Sequence, residues 1–216
     1  MWRMAAARIC RRRENTDVTD SPLVASIAAY FRRLANPPAA DIERFVGDGK
    51  PRALEPGACF CRLGQPHHEL AFIKSGIVRY FVTLPDGEEA TKDFSMAGSF
   101  ALSFGSAAAR RAAQVGIAAV VPTELIVWPY ERLLDLYESD PEWQKLGRRI
   151  AEMLYVRKEQ RELSFLLMDA PARYRQFCEQ FGPLADQIPQ YHIASYLGIR
   201  PQSLSRLRRK LADEPG

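Results

Sequence analysis

The sequence predicts an α+β protein in three parts: an N-terminal double-stranded β-helix (jelly roll), one long helix, and a C-terminal helix-turn-helix. Short β-branched and aromatic segments, broken by Gly and Pro, run from about residue 52 to residue 128, as in a small antiparallel barrel or jelly roll. Apolar residues then recur at helical spacing over residues 141–168. Two short amphipathic segments with a glycine between them indicate the helix-turn-helix.

The composition is that of a globular chain. Its 216 residues are enough for one large domain or two small ones, and 47% hydrophobic with 26% charged residues argue against disorder. No apolar run reaches the roughly 18–20 residues that span a bilayer. Ala-rich and Arg-rich stretches at the N-terminus stand in the wrong order for a secretory signal, so a cytoplasmic location without a membrane is expected. The four cysteines are too few and too scattered for a disulfide framework, and reduced thiols are expected.

The net charge of +4 is unevenly placed along the chain. Residues 171–216 carry seven basic and four acidic side chains, residues 21–170 carry eighteen and nineteen, and residues 1–20 carry five and three. A basic C-terminal end on a neutral body fits a nucleic-acid contact surface, with a solvated basic face as the alternative.

The N-terminal third is predicted to be an arm followed by two helices. Residues 1–20 show no apolar periodicity and are expected to be a mobile arm. A helix is predicted over residues 22–35, ended by Asn-Pro-Pro at 36–38, and a second short helix over 40–46. The apolar face of the first helix consists of Leu23, Ile27, Tyr30, Phe31 and Leu34.

The strand region contains one turn with a clear physical basis. Residues 77–84 favour a strand, and the Pro-Asp-Gly at 85–87 favours a turn because Pro fixes φ and Gly accepts positive φ. Two more strands are predicted at 115–121 and 125–128. Strands this short and this closely spaced predict the small barrel or jelly roll.

The long helix is predicted to begin at Asp-Pro-Glu (residues 140–142) and to end before Asp-Ala-Pro (169–171). At 1.5 Å per residue it would be roughly 40 Å long, which exceeds the small barrel before it. A second copy of the helix is therefore the expected partner for its apolar stripe, with packing wholly on its own domain as the alternative. The predicted dimer contacts are Leu146, Ile150, Met153 and Leu154.

The segment 190–211 meets the internal requirements of a helix-turn-helix; it reads QYHIASYLGIRPQSLSRLRRKL. Ala194 is small where the helices cross, Gly198 accepts the positive φ of the turn, and Pro201 fits the first turn of the second helix. Apolar residues fall where the helices face each other and the core: Ile193, Leu197, Ile199, Leu204 and Leu207.

The outward face of the second helix is predicted to bind DNA. Arg and Gln suit bidentate hydrogen bonds to guanine and adenine edges. A basic helical hairpin without this role is the alternative. The candidate DNA-binding residues are Gln202, Ser203, Ser205, Arg206, Arg209 and Lys210.

Over residues 22–211 the chain resembles the Crp/Fnr family of transcription regulators. The resemblance is most specific in IASYLGIRPQSLSRLRRKL, and it continues in ARYRQF (172–177) and ELAFIKSGIVRYF (69–81). It implies a cyclic-nucleotide-binding-like β-roll as sensor, a dimerisation helix and a winged helix-turn-helix. The expected boundaries are 1–20 for the arm, 21–140 for the sensor, 141–168 for the dimerisation helix and 169–216 for the DNA-binding domain.

The resemblance implies a homodimeric, non-enzymatic regulator that binds a pseudo-palindromic operator, with RNA polymerase as a possible further partner. Gln202 and Arg206 correspond to base-contacting positions of the family, and Ser203 and Arg209 resemble backbone or phosphate contacts. Pro201 departs from the pattern, because the best-known member has a base-reading arginine there. The target sequence is therefore expected to differ.

The sensor departs from the family members that bind cyclic nucleotides. Those members use a Glu on the ribose and an Arg on the cyclic phosphate. Here no Glu occurs between Glu89 and Glu124, and the Arg position falls on Ala113. Cyclic AMP is not expected to bind, no cofactor is predicted, and the effector is unknown. If a pocket exists, its candidate residues are Ser99, Ser103, Arg110 and Arg111.

Other ligand classes rest on the cysteines and histidines. An iron–sulfur cluster is rejected because four thiolates are needed and only Cys10 lies near the N-terminus. Haem stays open, since one ligand suffices and His67 and His68 lie in the barrel. Cys59 and Cys61 are expected to be small buried thiols rather than a thiol-redox or soft-metal site.

No metal site is predicted. The two remaining alternatives are a redox- or ligand-binding β-roll without specific DNA binding and a cupin-like metalloenzyme, which two adjacent histidines do not support.

Overall fold

The structure, a computed structural model, describes residues 21–212. The arm expected at residues 1–20, with Cys10, lies outside the described residues. Two helices come first, α1 (Ser21–Arg32) and α2 (Ala39–Gly47), close to their predicted positions. The Leu23, Ile27 and Phe31 face of α1 is buried as the spacing predicts.

The strand region folds into eight short strands with one short helix. The strands are β1 (Lys50–Leu54), β2 (Cys59–Cys61), β3 (Glu69–Ser75), β4 (Ile77–Thr83), β5 (Glu89–Met96), β6 (Phe100–Ala101), β7 (Gly116–Ala119) and β8 (Thr123–Pro129). Helix α3 (Phe104–Ala109) lies between β6 and β7. The predicted turn at residues 85–87 closes the β4–β5 hairpin, where Gly87 has φ +87°.

The strands form two four-stranded antiparallel sheets, in the orders β1-β8-β3-β6 and β2-β7-β4-β5. This confirms the predicted jelly roll. The chain passes between the sheets at Gly76, whose φ is +94°. A Cβ at Gly76 would lie 2.4 Å from the Thr123 hydroxyl oxygen and 2.7 Å from the Pro122 carbonyl oxygen. Only glycine fits this crossing, because both the backbone angle and the space exclude a side chain.

Two apolar clusters hold the N-terminal part together. One lies between the sheets and includes Ile73, Ile117 and Leu125. The other lies outside the roll, where α1, α2 and the first turns of the long helix cover β3 and β8, with Trp128 and Trp143 at its centre. The Trp128 indole N–H donates to the Phe45 carbonyl at 2.6 Å, so the buried ring has its hydrogen bond.

The long helix begins and ends as the sequence predicts. A short helix, α4 (Glu131–Ser139), precedes α5 (Pro141–Leu167), and the Asp140 carboxylate accepts the Glu142 N–H at 2.7 Å. At the next junction the Asp169 carboxylate accepts the Ala172 N–H at 2.9 Å, which starts a new helix after α5 has ended. Within residues 21–212, none of the helices combines the length and the apolar content that a membrane crossing requires.

The C-terminal part is helical throughout its described residues. It contains α6 (Ala170–Phe181), a 3-10 helix (Gly182–Gln187), α7 (Gln190–Leu197) and α8 (Pro201–Ala212). The prediction of a β-hairpin wing is wrong for this part of the chain. Residues 168–212 contain no β-hairpin, and a 3-10 helix precedes α7 instead. Pro183 and Pro189 frame that segment, and neither has an N–H to donate to a ladder.

Candidate nucleic-acid interface and sensor interior

The turn between α7 and α8 has the geometry of a helix-turn-helix. Gly198 follows α7 with φ +69° and ψ 33°, and the Ile199 N–H donates to the Ala194 carbonyl at 3.0 Å. A left-handed glycine at this place ends α7 and redirects the chain into α8. The predicted role of Gly198 is confirmed.

The facing sides of α7 and α8 are packed as expected. Ala194 and Leu197 are fully buried, Leu204 of α8 is fully buried against them, and Ile193 is nearly so. Ile199 is half-buried at the edge of the same cluster, and Leu207 is half-buried on α8. The burial of Leu204 fixes which side of α8 faces inward, and so determines which side faces solvent.

The outward side of α8 carries the predicted polar residues. Ser203 is half-buried, and the other five candidates are exposed: Gln202, Ser205, Arg206, Arg209 and Lys210. They recur at three- and four-residue spacing and so form one surface. Arg208, on the flank of α8, pairs with Asp186 at 3.7 Å, whereas the outward cations form no ion pair with a carboxylate of residues 21–212. Arg206 Nε donates to the Gln202 carbonyl at 3.4 Å, a bond within α8 itself.

The interior of the β-roll is filled with apolar side chains. Ala113, which stands where nucleotide-binding members carry the phosphate arginine, is buried in the cluster between the sheets. The Tyr80 hydroxyl lies 3.4 Å from the Ser95 hydroxyl, and burial raises the pKa of Tyr80 to about 12. A neutral phenol and a wall of aliphatic groups provide no charge for a cyclic phosphate.

The four candidate pocket residues make separate local contacts, and their role in a pocket stays a prediction. Ser99 donates to the Met96 carbonyl at 2.6 Å, and buried Ser103 donates to the Val115 carbonyl at 3.4 Å, so both hydroxyls stabilise local backbone. Arg110 and Arg111 are exposed on the loop after α3, and Arg110 ends that helix with φ 48°. Within residues 21–212, no hydrogen bond joins any two of the four.

The predicted dimer residues divide into two groups along α5. Leu146 is fully buried in the core of its own chain, and Ile150 packs against the same core. Leu146 therefore cannot offer surface to a partner in this arrangement, because α1 and α2 already cover it. Met153 and Leu154 are 42% and 44% exposed, and further apolar side chains beyond them are uncovered.

Comparison with known proteins agrees with this architecture. Residues 51–140 match the cyclic nucleotide-binding domain family. FixK2 from Bradyrhizobium japonicum is 18% identical, with a TM-score of 0.66 over 76% of this chain and 84% of that chain. The c-di-GMP responsive global regulator CLP of Xanthomonas campestris is 19% identical, with a TM-score of 0.64 over 81% and 92%. A putative Crp/Fnr-family regulator from Eubacterium rectale is 16% identical, with a TM-score of 0.64 over 80% and 82%. No curated protein sequence matches the chain.

The chain has the fold of a Crp/Fnr-type regulator. Its β-roll is a domain of the cyclic nucleotide-binding type, and its C-terminal helices correspond in order to the second half of that fold. In nucleotide-binding members of the Crp/Fnr family, this domain carries the side chains that bind the ribose and the phosphate. Here the interior of the β-roll is filled with apolar side chains instead.

In this chain the helix-turn-helix packs directly on the β-roll. Phe94 of β5 contacts three aromatic rings of the C-terminal part, with centroid distances of 6.2 Å to Phe177, 5.7 Å to Phe181 and 5.5 Å to Tyr196. The Thr91 N–H donates to the Ser195 hydroxyl at 2.8 Å. Sequence analysis missed this contact, because Phe94 lies more than 80 positions before its partners and no local pattern marks it.

A cleft of about 290 Å³ opens between α7 and the β4–β5 hairpin, lined by Arg79, Glu88, Glu89, Tyr191, His192 and Ser195. Arg79 is buried, pairs with Glu89, and lies over the Phe81 ring at 4.6 Å. Burial and the positive charge of Arg79 lower the pKa of His192 to about 4, although Glu89 opposes the shift. His192 is therefore neutral at physiological pH while α7 is packed against the β4–β5 hairpin, an arrangement called docked below.

The cysteines and histidines of the sensor do not assemble a metal site. A bulge interrupts the pairing of β2 with β7 between Cys59 and Cys61, and Cys61 is fully buried with its pKa raised by that burial. His67 and His68 precede β3 in a loop, and the His67 ring packs edge-on against Phe60 at 4.6 Å. Among the described residues, no group of three or more His, Cys, Asp or Glu is placed to hold a metal ion.

Proposed function

We propose that this chain is a homodimeric DNA-binding transcription regulator that inserts α8 into the major groove. The observation that carries the proposal is the two-sided nature of α8: Leu204 is fully buried, and the opposite side exposes Gln and Arg side chains. The fold supports it, because structures with the same architecture include proteins described as transcriptional regulators.

In this proposal Gln202 and Arg206 contact base edges. They lie one turn apart on the exposed side, and both side-chain types form bidentate hydrogen bonds with purines. Ser203 and Arg209 contact the phosphate backbone, and Ser205 and Lys210 flank the contact on the same surface. Pro201 begins α8 and provides no hydrogen bond to a base.

The second half of α5 is the proposed dimer seam. Met153 and Leu154 are exposed apolar residues at adjacent positions of this helix, at 42% and 44%. A second copy of α5 would cover them and would place two recognition helices on one DNA face. The operator should then be pseudo-palindromic, with half-site centres about one helical turn, or roughly 34–36 Å, apart.

The effector is proposed to be something other than cyclic AMP, because the position expected for the phosphate arginine is Ala113, which is buried in the apolar cluster between the sheets. A regulator of this kind acts by recruiting or obstructing RNA polymerase at its operator.

DNA binding is tested by selection from a pool of random 30-bp duplexes, followed by affinity measurements on the selected sequence and a scrambled one. We expect a palindromic consensus and binding at least about a thousandfold tighter than to the scrambled duplex at physiological salt. Equal affinity for both duplexes at every salt concentration would instead support a sensor without specific DNA binding.

Dimerisation is tested by the double substitution Met153→Glu and Leu154→Glu. Charge placed in the buried seam should cost several kcal/mol of association energy, and light scattering should show a monomer. The matched control is Glu152→Gln, on the same turn of α5. A wild-type protein that is monomeric at micromolar concentration would contradict the seam.

A further inference from the structure

The end of α7 is held by arginines from two other helices. The last carbonyl groups of a helix have no partner within it and need external donors. The Tyr196 carbonyl accepts a hydrogen bond from Arg161 of α5, and the Leu197 carbonyl accepts one from Nε of Arg173 of α6 at 3.2 Å. Arg173 also donates to the Met168 carbonyl at 2.6 Å, which joins the α5–α6 junction to the same point.

Phe165 of α5 lies between these two arginines. The guanidinium carbon of Arg161 is 4.4 Å from the centre of the Phe165 ring, and that of Arg173 is 5.0 Å from it. Arg161 also lies 3.7 Å from the centre of the Tyr196 ring. A planar guanidinium can stack on an aromatic ring and still donate from its edge, which an ammonium group cannot do.

The same phenylalanine contacts the turn. A Cβ at Gly198 would lie 2.9 Å from a Phe165 ring carbon, so the turn approaches α5 as closely as a glycine allows. One turn before Arg161 on α5, Arg157 binds Asp93 at 2.8 Å and the Phe94 carbonyl at 3.1 Å. Successive turns of α5 therefore contact the sensor and then the helix-turn-helix.

We propose that Arg161, Phe165 and Arg173 form a clamp that fixes the orientation of α7 and α8 relative to α5, and that they are positioning residues for DNA recognition. This inference rests on the proposed function, because α5 is the proposed dimer seam. A fixed angle between α5 and α8 in each protomer sets the distance and phase between the two recognition helices. The clamp thereby determines which half-site spacing the dimer accepts.

The clamp itself is tested without DNA, by hydrogen–deuterium exchange of the full-length protein. In Arg161→Gln, amides of the turn and the start of α8 should exchange about tenfold faster, because a charge-assisted hydrogen bond is lost at the end of α7. Lys158→Gln is the matched control, since the Lys158 side chain is 69% exposed on the same helix and, among residues 21–212, its one ion pair is with Glu162. Exchange within twofold of wild type would overturn the clamp.

The positioning role is tested on the duplex that wild type selects, lengthened or shortened by one central base pair. This change rotates the half-sites by about 35°. Wild type and Lys158→Gln should lose about tenfold or more in affinity, whereas Arg161→Gln and Arg173→Gln should lose less than about threefold. If the variants keep the wild-type spacing preference, the residues stabilise the fold only, and the positioning role is overturned.

Two further measurements keep the outcomes separate. Arg161→Lys retains the positive charge but not the planar guanidinium that stacks on Phe165 while it donates a hydrogen bond. It should therefore behave like Arg161→Gln, and wild-type behaviour would show that stacking is not needed. Thermal unfolding identifies variants that fail to fold, in which case Phe165→Leu is tested in the same two assays and should give the same two changes. If wild type selects no DNA sequence, the proposed function fails, while the exchange experiment still decides the clamp.

Discussion

The inside of the β-roll and the outer side of α8 have opposite chemistry in one chain. Between the two sheets lies a cluster of buried apolar residues, and Ala113, at the position expected for the phosphate arginine, belongs to it. On α8 the side opposite Leu204 is exposed and carries an amide and cations that have no carboxylate partner in the described part of the chain. In the proposed function the β-roll keeps its fold without nucleotide binding, while DNA recognition depends on a few exposed side chains of α8.

The largest expected effect is on the free energy of unfolding, when the phosphate-binding arginine of nucleotide-binding members is introduced into the β-roll. Ala113→Arg would bury an uncompensated charge among aliphatic groups, and it should lower the free energy of unfolding by about 3–5 kcal/mol. Gln114→Arg, at the exposed neighbouring position, should change it by less than about 0.5 kcal/mol. Urea unfolding of both variants makes the comparison. A stable Ala113→Arg protein that binds cyclic AMP would show that the interior opens.

On the outer side of α8, Arg206→Ala should cost about 1–3 kcal/mol of binding to the selected duplex and relax preference at one or two base pairs. Arg209→Ala should weaken specific and scrambled DNA alike, with a salt dependence shallower by about one unit. Arg208→Ala is the control, because Arg208 is half-buried beside Asp186. Affinity that falls equally for both duplexes in Arg206→Ala would refute base contact by that residue.

A smaller effect is expected at the cleft between the two regions. The pKa of His192 is lowered from 6.5 to about 4 in the docked arrangement, so the folded chain holds fewer protons there than the unfolded chain. Its unfavourable contribution is absent above about pH 6.5 and grows as pH falls toward 4. For a partly exposed group, about 1 kcal/mol of stability should be lost between pH 7.5 and pH 5.

The contribution of His192 is isolated by comparing wild type with His192→Gln in urea unfolding across that pH range. The pKa of His67 is also lowered, by burial, so the difference between the two proteins is the relevant quantity. A pH profile unchanged by His192→Gln would refute the role of the cleft histidine.

The smallest expected effect is none at all. Calorimetry with cyclic AMP and with cyclic GMP should show no heat of binding in the wild-type protein, since the roll has neither the acidic ribose ligand nor the phosphate arginine. A dissociation constant in the micromolar range would contradict this, and Arg110→Ala and Arg111→Ala would then show whether the loop after α3 supplies the cation.

The sequence by itself determined the elements whose causes are local. The helix start at Asp140, the end of the long helix before Asp169, the turn at residues 85–87 and the left-handed Gly198 follow from caps and backbone freedom, and all are found where the sequence predicts them. The sidedness of α8 follows from spacing alone, because Leu204 must face inward if the polar residues face outward. Chemistry that acts within one or two turns can be predicted from one stretch of chain.

Only the tertiary structure decided what each apolar or charged residue contacts across the chain. Leu146 has the pattern of a seam residue, yet it is buried because α1 and α2 fold back over the start of α5. Phe94, Arg161 and Arg173 carry no local signal, and their partners on α7 lie between about 20 and 100 positions away. Long-range packing satisfies carbonyls and covers rings wherever the fold brings them together, so spacing along the chain cannot identify these pairs.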